Sequence, residues 1–145
     1  MSVELPSAPV DGIIRRNADG LRVSAEATEA LAARIQERGA ALAVEAAASA
    51  DADGRKTLMA EDFIDDELPD SDALALPIAP VDRIARLDID DRYRVSMDAR
   101  IALAAELETY ADRVAMAAAL LARHADRRTV TVADVETYEE LPTGE

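Results

Sequence analysis

A tandem repeat is the feature that most restricts how this chain can fold. Three segments of the first half return, in the same order, in the second half. They are LPSAPVDGIIRR and LPIAPVDRIARL (residues 5–16 and 76–87), LRVSAEATEALAARI and YRVSMDARIALAAEL (residues 21–35 and 93–107), and GRKTLMAED and DRRTVTVAD (residues 54–62 and 126–134). Chance does not produce three collinear matches, so we infer that the chain is a duplication of one unit.

The duplication divides the chain into two units joined by a linker. The segment DDELPDSDALA combines acidic residues with a proline and separates the repeats, which is typical of a linker. We predict a first unit at residues 1–66, an acidic linker at residues 67–75 and a second unit at residues 76–145. Each unit is small and rich in alanine and buries little apolar area alone, so we expect the two units to pack together.

A long amphipathic helix dominates each predicted unit. Ser24 and Ser96 are good N-caps, and acidic residues follow them in the first turn. The apolar periodicity then extends over roughly residues 25–52 and 97–125. One face of each long helix stays exposed unless another helix covers it, and the second copy on the same chain supplies that helix.

Short helices are predicted on either side of each long helix. Pro9 and Pro80 suit the first turn of a helix that precedes the long one. A short third helix is predicted to begin near Ala60 in the first unit and near Val132 in the second. Polar loops connect the helices, so the predicted fold class is all-α.

The chain is strongly acidic, and its basic residues are nearly all arginine. It has 30 Asp and Glu residues against 16 Lys and Arg, a formal net charge of -14, and Lys56 as its only lysine. A shell of carboxylates holds water and cations and keeps a protein soluble at molar salt. We therefore expect a protein from a halophilic archaeon; an ordinary acidic interaction protein and a DNA mimic are the alternatives.

The sequence also argues against several classes of function. The absence of cysteine excludes disulfides, thiolate catalysis and Cys-based zinc sites. A single histidine without an evident nucleophile and base argues against an enzyme, a cofactor or a small-molecule substrate. No apolar run resembles a signal peptide or a membrane span, so a soluble, intracellular protein is expected. The acidic runs DADG and DIDD lack EF-hand spacing, so we expect loosely held counterions there and no metal site.

The repeated motifs together resemble those of the archaeal histones. The matching elements are LPSAPV and LPIAPV, the RVS before each long helix, and the GRKT and AED of the first basic loop. The resemblance covers roughly residues 5–64 and 76–138. It implies two tandem histone folds, each a short helix, loop, long helix, loop and short helix. The arrangement resembles a fused doublet, in which one polypeptide makes the handshake pair normally formed by two chains.

The resemblance implies a set of DNA-contacting residues. In archaeal histones the arginine before Val-Ser enters the minor groove, with a threonine of the other loop as its partner. The basic pair of the second loop contacts phosphates, and first-helix basic residues contribute, although Gly12 leaves one such contact missing here. Carried over to this chain, the DNA-binding positions are Arg15, Arg16, Arg22, Arg55, Lys56, Thr57, Arg83, Arg86, Arg94, Arg127, Arg128 and Thr129.

A structural clamp is also implied by the resemblance. It would join the second-loop arginine to the aspartate of the third helix, which gives Arg55 with Asp62 and Arg127 with Asp134. An arginine whose charge is held by an aspartate orients its loop as well as, or instead of, binding phosphate. Both interpretations of these arginines stay open from the sequence.

The resemblance implies an oligomer interface in the second unit. In archaeal histones a histidine at the end of the long helix, a leucine one turn before it and the third-helix aspartate join one pair to the next. The matching residues are Leu121, His124 and Asp134, whereas the first unit has Ser49 and Ala52 in the first two positions. We therefore expect two doublets to pair through their second units and then stop; the alternative is that His124 is an ordinary helix-end residue.

The implied function is that of a histone-like protein that contacts the backbone and minor groove of double-stranded DNA without strong sequence specificity. Its role would be that of a nucleoid-associated or transcription-modulating factor in a high-salt cytoplasm. Salt weakens phosphate-driven binding, so DNA association is expected to be weaker than that of a basic histone. The competing interpretation is a histone-fold interaction module with weak or no DNA binding, in which Arg22 and Arg94 are ordinary surface arginines. Met59 and Met116 are expected to be packing residues.

Overall fold

The computed structural model describes residues 2–138, which form two helical repeats packed on each other. The predicted units also include residue 1 and residues 139–145, which lie outside the described residues. Two 3-10 turns, Ala60–Asp62 and Ser71–Ala73, lie in the middle of the chain. The helices and short strands are α1 (Ser7–Ala18), β1 (Arg22–Val23), α2 (Ala25–Ala52), β2 (Thr57–Leu58), α3 (Ile78–Ala85), β3 (Arg94–Val95), α4 (Met97–His124), β4 (Thr129–Val130) and α5 (Val132–Thr137).

The long helices α2 and α4 begin where the sequence places their caps. The Ser24 hydroxyl oxygen accepts a hydrogen bond from the Ala27 N–H at 3.1 Å, and the Ser96 hydroxyl oxygen accepts one from the Ala99 N–H at 3.0 Å. Alanine has the highest helix propensity and fills much of both helices. Both helices end within one residue of the predicted ends. No helix among residues 2–138 has the length and apolar character needed to cross a membrane.

The short helices α1 and α3 begin earlier than the sequence indicates. They start at Ser7 and Ile78, two residues before Pro9 and Pro80, and each is directly preceded by another proline in an extended conformation. Pro9 and Pro80 therefore occupy the third helical position. The N–H groups of the first turn have no acceptor within the helix, so a proline there removes no hydrogen bond.

The third element begins at the predicted residue in both units, Ala60 and Val132, but it is an α-helix only in the second unit. The second unit ends in a true helix, α5, but the first unit has only the 3-10 turn Ala60–Asp62. Three consecutive carboxylates, Asp65, Asp66 and Glu67, follow that turn. Negative charge at the C-terminal end of a helix is unfavourable, so these residues oppose extension of the turn into a helix.

The strands join the two units in a reciprocal way. β1 of the first unit pairs in parallel with β4 of the second, and β2 of the first pairs in parallel with β3 of the second. Each first loop thus lies beside the second loop of the other unit. The structure confirms the predicted all-α pair of histone folds in a handshake arrangement.

One hydrophobic core spans both units. Its fully buried side chains include Ile13 and Ile35 from the first unit and Ile84 and Leu107 from the second. Gly39 lies where α2 meets the second unit: a Cβ atom there would lie 2.7 Å from Ile84 Cγ2 and 3.0 Å from Leu107 Cδ1. The absence of a side chain at Gly39 therefore allows the close approach of α2 to the second unit.

Two equivalent polar residues on the long helices hold the chain ahead of each first helix. Glu108 is buried, and its Oε1 accepts hydrogen bonds from the N–H groups of Ala75 at 2.7 Å and Leu76 at 3.2 Å. Its Oε2 accepts one from Arg16 Nη2 of the first unit at 3.0 Å. Gln36, the equivalent residue of α2, also holds the backbone ahead of α1: its Oε1 accepts a hydrogen bond from the Glu4 N–H at 2.7 Å, and its Nε2 donates one to the Ser2 carbonyl oxygen at 3.0 Å. Glu108 thereby fixes the end of the linker against the core.

The interpretation of Met59 and Met116 as packing residues is wrong. Met59 is 39% exposed and Met116 is 58% exposed. Leu120, one turn after Met116, is 54% exposed, so this side of α4 presents apolar side chains to solvent. The apolar periodicity places core residues on the opposite side of α4 and does not reach these positions.

Candidate nucleic-acid interface

Each strand pair places an arginine of one unit beside a threonine of the other. The register of β1 and β4 aligns Arg22 with Thr129, and the register of β2 and β3 aligns Arg94 with Thr57. The N–H groups of both arginines are held by carbonyls of the opposite loop at 2.8 Å. Both arginine side chains are exposed, whereas both threonines are partly buried. The fold therefore forms this arginine–threonine arrangement twice, once at each end of the pair.

The second-unit loop is braced by Arg127 and Asp134. Arg127 Nη1 and Nη2 donate to the two Asp134 carboxylate oxygens, each at 2.6 Å, and Nη1 also lies 3.3 Å from the carbonyl oxygen of Thr129. Asp134 in addition accepts a hydrogen bond from the Thr131 N–H at 2.8 Å and is only 3% exposed. These contacts hold the loop against the start of α5, and both carboxylate oxygens of Asp134 take part in them.

The first-unit loop contains the equivalent pair. Arg55 Nη1 and Nη2 donate to the two Asp62 oxygens, each at 3.0 Å, and Nη1 donates to the Thr57 carbonyl oxygen at 2.8 Å. Arg55 Nη2 also donates to Asp53, and Asp62 accepts from the hydroxyl of Ser49 at 3.0 Å. In both loops a guanidinium group therefore holds the carbonyl of the threonine that lies beside the other unit's arginine.

Both clamp aspartates are held in their charged form. Hydrogen bonds from Arg55 lower the pKa of Asp62 below its usual value, and they outweigh the opposing effect of burial. For Asp134, burial by itself raises the pKa. The hydrogen bonds from Arg127 and Thr131 together lower the pKa by more than burial raises it, so the net shift is again downward. The clamps also raise the pKa values of Arg55 and Arg127, which stay charged.

We expect the clamps to make stability fall in acid. An aspartate in an unfolded chain has a pKa of about 3.9. Because the folded pKa values of Asp62 and Asp134 are lower, their stabilisation is complete above about pH 4 and is lost as pH falls through the folded values. Urea unfolding of the wild type and of an Asp62→Asn/Asp134→Asn variant between about pH 7 and about pH 3 measures this. The variant should lose less stability in acid than the wild type, and equal losses would contradict the assignment.

Most of the other predicted DNA-contacting cations are paired with carboxylates of the same chain. Lys56 Nζ lies 2.7 Å from Asp51 Oδ1, and the Lys56 ammonium also lies 5.4 Å from the centre of the Tyr93 ring. On the first helices the nearest nitrogen–oxygen distances are between 2.6 and 3.1 Å, for Arg15 with Asp11, Arg83 with Glu4 and Arg86 with Asp82. These pairs are solvent-exposed and contribute little to stability, but a DNA phosphate must compete with them.

Arg16 differs from the other first-helix arginines because it bridges the two units. Its guanidinium donates to Glu108 at 3.0 Å and to Asp112 at 3.0 and 2.8 Å, all on α4. Hydrogen bonding to Asp112 is the main reason that the pKa of Arg16 is raised. The structure therefore places this predicted DNA contact in the interface between α1 and α4.

Both halves of the chain match one protein family. The family described as "Histone-like transcription factor (CBF/NF-Y) and archaeal histone" matches residues 3–65 and residues 74–137. The chain belongs to this family. These matched histone segments contain both arginine–threonine arrangements and both clamps.

Two relatives show how the similarity is distributed along this histone. One of the subunits of the archaeal histone HAN1 from Thermococcus zilligii is 52% identical over 60 residues, which are 41% of this chain and 87% of that protein. The crystal structure of the histone from Methanopyrus kandleri has a TM-score of 0.70 at 26% identity and covers 97% of both chains. The first relative is thus similar to a single histone-fold unit, and the second to both units together.

The predicted oligomer-interface residues of this histone lie in different environments. His124 is exposed as the last residue of α4, and Leu121 is partly buried one turn before it. Asp134 is buried beneath Arg127, so its carboxylate is already bound within the chain. Met116, which the sequence predicts to be a packing residue, adds an exposed apolar side chain on the same helix.

Sequence reasoning missed the acidic partners of the loop cations in this histone. Asp51 and Asp53 of DADG pair with Lys56 and Arg55, and Asp90 of DIDD pairs with Arg92. Hydrogen bonding from Lys56 and Tyr93 lowers the pKa of Asp51. The sequence does carry a signal for these pairs, because the acidic runs closely flank the basic residues, and loosely held counterions are not needed to explain them. Among residues 2–138 no three acidic or histidine side chains are grouped in a way that holds a metal ion.

Proposed function

We propose that this histone binds double-stranded DNA through its two paired-loop ends, without strong sequence specificity. The observation that carries the proposal is the exposed arginine beside a threonine of the other unit, formed twice by the strand pairs. The narrow minor groove concentrates negative potential and attracts an inserted guanidinium group. Pairing of the two units does not require exposed arginines at these positions, so their presence favours DNA contact over a purely structural role.

The loops around these arginines fit the DNA backbone. Among the other predicted contacts, Thr57, Thr129 and the basic pairs that precede them lie in the same loops, whereas the predicted first-helix contacts lie on α1 and at the end of α3. Contacts of this kind are made to phosphates and sugars, and they position a protein on DNA without reading the base sequence. The clamp arginines Arg55 and Arg127 orient these loops, because each holds a threonine carbonyl as well as an aspartate.

The charge distribution indicates weak binding to DNA. The net charge is -14, and most of the predicted contact cations already have a carboxylate partner. At about 1 M salt the screening length is only about 3 Å, so short-range hydrogen bonds and groove insertion matter more than long-range attraction. The role that fits is a chromosome-associated, locally bound nucleoid or transcription-modulating protein in a high-salt cytoplasm, with no catalytic activity.

DNA binding measured against salt tests this function. We expect fluorescence anisotropy with a labelled duplex, from about 0.1 M to about 3 M KCl, to show binding that weakens with salt. The slope of log affinity against log salt should be about -3, because about 0.9 counterion is released per neutralised phosphate and, among residues 2–138, only Arg22, Arg94 and Arg128 of the predicted contact cations have no carboxylate partner. No binding at any salt would contradict the function, and a slope steeper than about -8 would contradict the weak binding.

The same ion pairs favour a second candidate function. A histone-fold module that binds other proteins would carry its cations neutralised in this way and would not need DNA. Absence of DNA binding across the salt series, with the folded pair intact by circular dichroism, would select this alternative.

The proposal includes pairing of two copies through the second unit. Leu121 and His124 lie at the accessible end of α4, next to the exposed Met116 and Leu120. Asp134 would contribute indirectly, because its bonds to the Thr131 N–H and to Arg127 fix the start of α5. The first unit offers a less apolar surface, because Ser49 occupies the position of Leu121 and its hydroxyl is bound to an aspartate.

Sedimentation in molar KCl tests the pairing of copies. The wild type should sediment as two chains, and a Leu121→Ser/His124→Ala variant, which installs the residues of the first unit, should sediment as one. The corresponding first-unit change, Ser49→Ala/Ala52→Ser, is the control and should leave the two-chain species intact. Single chains only, or long concentration-dependent polymers of the wild type, would rule the pairing out.

A further inference from the structure

The two paired-loop ends of the molecule are not equivalent. We define the β1–β4 end by residues 19–24 and 123–130, and the β2–β3 end by residues 51–58 and 87–96. Among residues 2–138, Arg22, Arg94 and Arg128 have no carboxylate oxygen within 4.0 Å of the guanidinium nitrogens. Two of these three arginines, Arg22 and Arg128, lie at the β1–β4 end, and only Arg94 lies at the β2–β3 end.

One position in the repeat accounts for this difference. The last turn of α2 carries Asp51, whereas the equivalent position of α4 carries Arg123. Asp51 binds Lys56 at 2.7 Å. Arg123 donates instead to the carbonyl oxygen of Ala18 at 2.8 Å, so the Lys56 equivalent, Arg128, has no acidic partner in the described part of the chain.

A second difference reinforces the first. Tyr93 of the first loop in the second unit lies beneath Lys56, with 5.4 Å between the ammonium nitrogen and the ring centre. The corresponding residue of the first unit is Leu21, which has no negative ring face to attract a cation. Lys56 is therefore held by both a carboxylate and an aromatic ring, and Arg128 is held by neither among residues 2–138.

We propose that the β1–β4 end is the primary DNA-binding end. At the β2–β3 end, the Asp51 carboxylate binds the Lys56 ammonium in the position that a DNA phosphate would otherwise take. A phosphate that reaches Lys56 must displace Asp51, whereas a phosphate that reaches Arg128 displaces no carboxylate of residues 2–138. One end of the molecule therefore has a phosphate-binding cation that is free of described carboxylates, and at the other end that cation is paired with Asp51. This inference rests on the proposed DNA binding and adds an order to the two contacts.

Equivalent substitutions at the two ends separate them experimentally. In anisotropy titrations with a labelled duplex, Arg128→Ala should weaken binding about tenfold, as expected for loss of one charge-assisted phosphate contact. Lys56→Ala, at the equivalent position, should weaken it less than about twofold, because Lys56 is bound to Asp51 in the free protein. Equal losses for the two variants would overturn the proposal.

Removal of the internal carboxylate provides the decisive arm. Asp51→Asn should raise the affinity about threefold or more, and in that background Lys56→Ala should cost about as much as Arg128→Ala does. Glu67→Gln, which removes the same charge from an exposed linker position, is the control and should change affinity less than Asp51→Asn does. A gain equal to that of the control, or no coupling between Asp51 and Lys56, would overturn the proposal. Wild-type DNA binding is measured in the same series, so a failed DNA-binding function is recognised separately.

Discussion

Replacement of Arg22 and Arg94 together with alanine is expected to lower the affinity for a duplex of about 30 base pairs by about a hundredfold or more. These are the exposed arginines that the two strand pairs place beside Thr129 and Thr57. Neither side chain is held by a carboxylate among the described residues, so neither contributes an ion pair to the fold. The loss should therefore appear in DNA binding, measured by anisotropy at moderate salt, while the unfolding midpoint in urea stays close to that of the wild type.

A charge-matched control separates groove contact from net charge. Arg34→Ala/Arg113→Ala removes the same two positive charges from α2 and α4, away from the strand pairs. We expect this control to lose far less affinity than the Arg22→Ala/Arg94→Ala variant. Equal affinity of that loop variant and the wild type would refute groove contact by these arginines, and equal losses in both double variants would reduce their role to bulk charge.

Glu108→Leu is expected to cost about 3 kcal/mol of unfolding free energy, because it leaves the N–H of the buried Leu76, and that of Ala75, without an acceptor. The Glu108 carboxylate accepts from the N–H groups of Ala75 and Leu76, and from Arg16 of the other unit. Leucine fills a similar volume but accepts no hydrogen bond. Urea unfolding in molar KCl measures the loss, and that salt screens the general repulsion between carboxylates.

Glu108→Gln is the matched control for this position. Gln36 holds the backbone ahead of α1 with an amide oxygen, so an amide oxygen at position 108 should hold Ala75 and Leu76 similarly. We expect a loss of about 1 kcal/mol, from the weaker bond to Arg16. If the Leu and Gln variants were equally stable, the backbone hydrogen bonds to Glu108 would not be what fixes the linker.

The long helices were predictable from the sequence because several local signals agree. Ser24 and Ser96 cap them, alanine favours them throughout, and the duplication shows the same pattern twice. The third element of the first unit was not predictable from the repeat alone. The turn Ala60–Asp62 has the same motif as the start of α5, but carboxylates follow it at residues 65–67. Whether those carboxylates oppose a helix depends on where the helix would end, and the sequence alone does not give that position.

The clamp pairs followed from the resemblance to the archaeal histones, whereas the other ion pairs of the candidate site did not. Asp51, Asp53 and Asp62 all lie within a few residues of Arg55 and Lys56, so spacing alone does not assign partners. The choice is made by the loop conformation, in which Gly54 has a φ of +71° and turns the chain after α2. The cross-unit contact of Lys56 with Tyr93 depends on the packing of two units and has no local signal at all.

The linker that Glu108 fixes also gives the molecule a direction. Two separate chains of one sequence would form a pair with identical ends, and such a pair binds DNA equally in either orientation. Here the units are different and covalently joined, so their pairing within one chain is intramolecular and does not depend on protein concentration. A duplex has no preferred direction of its own at this level of recognition, but the protein bound to it has a front and a back. Two copies bound next to each other on DNA can therefore differ in relative orientation: head to head, head to tail or tail to tail.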